Sequence, residues 1–155
     1  MTSWRADGFD LLPQSVLDRW SHFGSWPGER YFSNVVGLEV EELRRDYARM
    51  RLPWRPELNQ PQGLMHAGAI ATLVDTVVVP AIGTAYPDPR RFATIEMSVR
   101  YLDTVRQEDL IAEGWVTKRG RHIVFCEVEV RTRTGVKVAA GHLIYTVAPD
   151  PTEQA

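Results

Sequence analysis

The stretch "NQPQGLMHAGAIATLVDTVVVPAIG", residues 59–83, leads from a polar loop through a histidine and small residues into a mostly hydrocarbon run that carries one acid. From Ala67 to Ile82 the only side chains that are neither hydrocarbon nor hydrogen are those of Thr72, Asp75 and Thr76. Asp75 has no Lys or Arg within a helical turn on either side, so no local ion pair neutralises it. Burial without a partner would favour its protonated form, and groups perturbed in this way concentrate at functional sites. The bland alternative is a structural acid that bonds a backbone group or faces a wet gap. Upstream, His66, Ala67 and Gly68 lead directly into the run. If 67–83 is a helix, its first amides are free and its dipole favours negative charge, while Ala67 and Gly68 admit close approach of a carbonyl. That is the physics of an oxyanion hole. The acid, however, lies eight residues beyond Ala67, roughly 12 Å along a helix axis. One reacting carbon cannot touch both. The two groups act together only if two copies run their helices antiparallel across a twofold axis, so that each Asp75 meets the partner's helix start.

The surrounding pattern supplies the elements that would hold these groups. Val16, Leu17, Trp20 and Phe23 form one face of an N-terminal amphipathic helix in "PQSVLDRWSHFG", and "SWPGER" links it onward. Two strands are predicted over "NVVGLEVEEL" and "DYARMRLPW", the second with a period of two. The 67–83 run is too long for a strand and reads as a helix buried on most faces, with Pro80 ending or kinking it. Four further strands follow: "FATIEMSVRYLDTV", "DLIAEGWVTKR", "HIVFCEVEVRT" and "VKVAAGHLIYTV". The expectation is an α+β domain over 1–148, with the N-terminal helix and link over 1–30, a core over 33–148, and a frayed, disordered tail over 149–155. Six antiparallel strands would wrap around the one apolar helix.

Composition excludes several classes of function. The chain has 155 residues, 44% hydrophobic and 25% charged, with a net charge of −2, so nothing draws it globally to nucleic acid or anionic membrane. One cysteine, Cys126, rules out an internal disulfide and a thiolate zinc site, and it reads as a small buried apolar group. His122 and His142 lack metal-ligand spacing, and no metal site is expected. Trp4, Trp20 and Trp26 read as core packing or as acyl-pocket walls. Lys118, Arg119 and Arg121 flank a turn and, with Arg90 and Arg91, could meet phosphate or could simply be solvated. With no apolar leader and no stretch long enough to span a bilayer, the expected setting is soluble and cytoplasmic.

"NQPQGLMHAGAIATLVD", "FATIEMSVRYLDTV", "GWVTKRGRHIVFCEVEV" and "AAGHLIYTV" together resemble the hotdog-fold thioesterases, most closely the phenylacetic-acid-degradation and 4-hydroxybenzoyl-CoA thioesterase branch. The resemblance covers about residues 35 to 147. It implies a hotdog fold and an acyl-CoA or aryl-CoA substrate, with coenzyme A arriving as part of that substrate and no other cofactor. It implies a homodimer, or a dimer-of-dimers tetramer, with shared active sites. Residue by residue, it implies that Asp75 is the nucleophile or general base and that the Ala67 N–H polarises the thioester carbonyl. Gln60 would assist at that carbonyl, with Asn59 as its neighbour. His66 would support the loop or contact the thioester, and Thr94 would lie near the acid. Charged residues on the rim, among them Arg91, Lys118, Arg119 and Arg121, would meet the nucleotide end of CoA, with Gly68 lining the site. Relatives carry Gly-Gly after the histidine where this chain has Ala67-Gly68; alanine keeps the N–H, and its methyl matters if that residue needs positive φ. The alternatives are a non-catalytic acyl-CoA-binding protein of the same fold, an enoyl-CoA hydratase and a purely structural dimer.

Overall fold

The structure is a computed structural model and describes residues 4–24, 28 and 30–149. Six strands form one antiparallel sheet in the order β1-β2-β4-β5-β6-β3. They are β1 (Glu39–Arg44), β2 (Tyr47–Leu52), β3 (Phe92–Tyr101), β4 (Leu110–Arg119), β5 (Ile123–Thr132) and β6 (Lys137–Val147). Helix α1 (Gln14–Trp20) and a short helix α2 (Phe32–Val36) precede the sheet, and the long helix α3 (Ala67–Gly83) runs between β2 and β3. The chain therefore crosses the whole sheet through α3, since β2 and β3 belong to opposite halves of it.

The sheet wraps α3 because alternate strand residues point at the helix. Leu73, Val74, Val77, Val78, Ala81 and Ile82 of α3 are buried against Met50, Leu52, Leu110, Ala112, Val124, Val128 and Leu143. Each such side chain contributes about 1.5–3 kcal/mol of hydrophobic stabilisation. Two strand glycines set the helix-to-sheet distance: a Cβ at Gly141 would lie 2.6 Å from Val74 Cγ1, and one at Gly114 would lie 2.8 Å from Val77 Cγ1. Larger residues there would lift α3 off the sheet and move everything it carries.

Two expectations change. "NVV" does not begin β1; it closes α2, with Asn34 Oδ1 accepting the Tyr31 N–H at 3.1 Å, and β1 starts after Gly37. Pro80 falls in the last turn of α3, which ends at Gly83 with the Thr84 N–H bonded to the Pro80 carbonyl at 3.0 Å. The helix is not buried on most faces within one chain: Ala67 and Gly68 are exposed, and Ala71, Thr72, Asp75, Thr76 and Val79 are only half-buried. Trp20 and Phe23 pack against the core as expected, and Trp4 lies under the Arg49 guanidinium at 4.7 Å. Trp26 and the tail over 150–155 lie outside the described residues. Among the described residues no helix is long and apolar enough to cross a membrane.

Candidate active site

The loop before α3 is held from both sides, so the helix starts at a defined point. His66 N–H bonds the Leu58 carbonyl at 2.8 Å, Met65 N–H bonds the Val105 carbonyl at 2.9 Å, and Asn59 and Met65 form a β-bridge. His66 is the N-cap. Gly68 N–H donates to His66 Nδ1 at 2.8 Å, and the N–H groups of Ala69 and Ile70 reach the His66 carbonyl at 2.9 and 3.4 Å. With Nδ1 accepting, Nε2 is the ring nitrogen left to donate. Of the four first-turn amides, three are thus engaged, and only the Ala67 N–H has no acceptor among the described residues. Ala67 itself, the first residue of α3, has ordinary helical backbone; among the described residues only Asp46 and Gln107 are non-glycines at positive φ. The Ala67 methyl therefore brings no backbone strain. Gly68 is the restrictive position: a Cβ there would lie 2.9 Å from His66 Nδ1 and displace the cap.

Asp75 is neither deeply buried nor without partners, contrary to the expectation from the apolar run. Thr94 Oγ1 donates to its Oδ1 at 3.1 Å, and Tyr145 Oη donates to the same oxygen at 2.6 Å. Thr94 and Tyr145 face each other across the β3–β6 ladder, next to a register shift at Thr94/Glu96. Oδ2 has no partner among the described residues.

Two cavities flank the start of α3. Gln60, Leu64, Met65, Ala67, Ile70 and Tyr101 line one of about 250 Å³. There the Tyr101 hydroxyl donates to the Ala67 carbonyl at 3.1 Å. Gln60 Oε1 accepts the Gln62 N–H at 2.5 Å, which leaves the amide nitrogen for a ligand apart from a long 3.4 Å contact to Gln62 Oε1. The other, about 490 Å³, is lined by Phe32, Val36, Leu58, Asn59, His66 and Thr72 among others. Gln60 and Asn59 thus serve different sides of the helix start, and Asn59 Oδ1 is taken by Trp54 Nε1 at 3.1 Å. The rim cations also separate. Lys118, Arg121 and Arg91 are exposed, whereas Arg119 turns inward. Arg119 pairs with Asp46, donates to Tyr86 Oη at 2.8 Å and to the Ile82 carbonyl at 3.1 Å, and lies 4.8 Å over the Tyr86 ring. It braces the C-terminal end of α3.

Two tyrosines of the site, Tyr145 and Tyr101, escape the sequence reading. For Tyr145 a signal exists: strand alternation puts it inward with Leu143 and Val147, and a buried phenol needs an acceptor.

The arrangement can polarise a carbonyl at Ala67 and place a carboxylate oxygen elsewhere on the same helix. Known proteins share the fold in outline. Residues 62–139 match the model of the thioesterase superfamily. A proposed esterase of Halobacterium salinarum is 31% identical over 137 residues, covering 85% of this chain and 83% of its own. The crystal structure of the thioesterase HI1161 of Haemophilus influenzae superposes with a TM-score of 0.77 at 19% identity, covering 86% of this chain and 90% of that one. The PaaI protein of the E. coli phenylacetic acid degradation operon superposes with a TM-score of 0.70 at 14% identity, covering 75% and 83%. These last two carry the fold alone; with the family match and the archaeal relative, they establish that the chain is a hotdog-fold member of the thioesterase superfamily, with thioester hydrolysis as its family chemistry.

Proposed function

We propose that the protein is an acyl-CoA thioesterase whose active site is completed by a second copy of the chain. The observation that carries this is the division of labour along α3: one unengaged N–H at Ala67 and one unengaged carboxylate oxygen on Asp75, about 12 Å apart by helix rise. A thioester carbonyl would accept from the Ala67 N–H, with the Gln60 amide beside it, and Asp75 of the other copy would reach the carbonyl carbon or activate a water.

The fold favours such pairing. The two sheet edges differ: β1 is short and presents Glu39, Glu41, Glu42 and Arg44, charges that discourage strand addition. β3 is ten residues long and exposes Ile95, Met97 and Tyr101, an edge that a second β3 would complete. The half-covered face of α3 lies beside it. The exposed Lys118, Arg121 and Arg91 are the rim cations assigned here to the phosphates of CoA, and a cytoplasmic setting, where CoA esters are made and used, goes with this reading.

The test is hydrolysis of an acyl-CoA and aryl-CoA panel, with released CoA trapped by a thiol reagent, for the wild type and Asp75→Asn together. Turnover by the wild type that falls by about a thousandfold or more in Asp75→Asn is the expected result. Tight CoA-ester binding without turnover in either would select the non-catalytic alternative. Single-turnover hydrolysis in ¹⁸O-water then separates the two roles of Asp75, since only the nucleophilic route exchanges label through the aspartate.

A further inference from the structure

Tyr145 sits on β6 with 3% of its surface exposed. Its Oη lies 2.6 Å from Asp75 Oδ1 and 3.0 Å from the Asp75 carbonyl oxygen. One phenolic proton serves one acceptor, and the shorter contact falls in the range of a charge-assisted O–H···O⁻ bond. Thr94, opposite Tyr145 in the ladder, adds its 3.1 Å bond to the same Oδ1. Two hydroxyls from two neighbouring strands therefore converge on one oxygen of the acid, and neither reaches the other oxygen.

Resting on the thioesterase reading above, we infer that Tyr145 is a positioning residue: it fixes Asp75 through Oδ1 and so assigns Oδ2 as the oxygen that works on the substrate. On the nucleophilic route, Oδ2 forms a bond to the carbonyl carbon while the C–S bond breaks and its electron pair leaves with the CoA sulfur; water then cleaves the anhydride. On the general-base route, Oδ2 takes a proton from water as the water oxygen bonds to carbon, and the same C–S bond breaks. Either route needs the carboxylate held against rotation about its Cβ–Cγ bond, because a freely turning group presents its oxygens in the productive direction only part of the time. Burial pushes the phenol well above its ordinary range and the bond to Asp75 pushes it further, so it stays a protonated donor wherever a thioester survives. Cys126 on β5 is the next titratable group behind it, a buried thiol itself pushed up to about 12 by burial, so no charge competes there at neutral pH.

The closing experiment uses the full chain and the best substrate of the panel. Tyr145→Phe keeps the ring and removes the hydroxyl; kcat is expected to fall about ten- to hundredfold with KM changed less than about twofold. In an Asp75→Asn background the same change should cost nothing further, because the oxygen it positions no longer works. Thr94→Val, which removes the longer of the two bonds, should lower kcat about three- to tenfold. Thr94→Ser should restore it. If Tyr145→Phe fails to fold, as a thermal melt would show, the Thr94 pair decides the matter by the same kcat-against-KM criterion. A wild type inactive on every ester overturns the thioesterase reading and this inference with it. An active wild type and an Asp75→Asn slowed to a measurable residual rate, beside a Tyr145→Phe with unchanged kcat or with losses that simply add, overturn the inference alone.

Discussion

On the inner face of the sheet the Tyr145 hydroxyl donates to Asp75; on the outer face the Tyr47 hydroxyl donates to Glu113 at 2.8 Å. Both phenols are pushed well above their ordinary range by burial first and by the carboxylate second. The surroundings differ. Glu113 is 3% exposed, and the same Oε1 that accepts from Tyr47 accepts the Arg5 N–H at 2.6 Å. The N-terminal turn with Ala6 and Phe9 closes over Tyr47 and Trp115, and the Arg5 guanidinium lies 4.2 Å over the Trp115 ring. Asp75 instead lies on the half-covered side of α3, the helix that ends in an unengaged amide at Ala67. A tyrosine–carboxylate pair is therefore not a site in itself. What distinguishes the two is whether the chain closes over the acid, and here it closes over only one.

The largest effect expected from this contrast is on turnover. Asp75→Asn should abolish hydrolysis while leaving the melting temperature within a few degrees of wild type. Glu113→Gln should do the reverse, keeping kcat within about twofold and lowering stability by about 1–2 kcal/mol, since the uncharged amide weakens two buried hydrogen bonds. Kinetics and thermal melts of the two variants, run side by side, break the comparison if Glu113→Gln loses turnover as severely as Asp75→Asn.

A smaller effect is expected on acid stability, and it too belongs to the outer face. Burial raises the Glu129 carboxyl, but hydrogen bonds from Lys137, Arg131 and Arg5 outweigh that and hold it at about 2. A folded value below the unfolded one means that the native state binds this proton less tightly. The stabilisation is full above the unfolded pKa, near 4.5, and is lost as pH falls toward 2. After allowing for the exposure of the three cations, it is worth about 1–2 kcal/mol. Lys137→Met should flatten the fall in urea midpoint between pH 5 and 3 (approximate limits set by that window) and leave kcat at neutral pH unchanged. An unaltered pH profile in the variant would mean that the network is not what holds the Glu129 carboxyl down.

Much of this was legible in the residues, because the patterns that report on burial are local. The 67–83 run marks the ends of α3, and the last four strands read from the residues match the structure to within a few residues. "NVV" was misleading, since three residues carry no period and a β-branched pair suits either state until Gly37 breaks the chain. Arg119 read as a rim cation because its spacing to Asp46 and to the end of α3 is a property of the sheet order. The cover over Glu113 was invisible for the same reason: Arg5 reaches it across 108 residues. Tyr145 was half legible, inward by alternation, but with its acceptor on another element 70 residues away.

The smallest expected effect tests whether the open pair depends on the residue that carries the amide. Ala67→Gly removes the methyl at the helix start. If the site needed positive φ there, the change would raise kcat severalfold. The backbone at Ala67 is ordinary helix, so the expected outcome is a kcat within about threefold of wild type and a stability lower by about 0.5–1 kcal/mol, the cost of glycine's extra freedom in the unfolded chain. Gly68→Ala makes the opposing case one residue later: its Cβ would press on His66 Nδ1, and the cap that consumes the Gly68 amide would shift. A larger loss of turnover in Gly68→Ala than in Ala67→Gly is the expected order. The reverse order would mean that the methyl of Ala67, and not the His66 cap, governs access to the free amide.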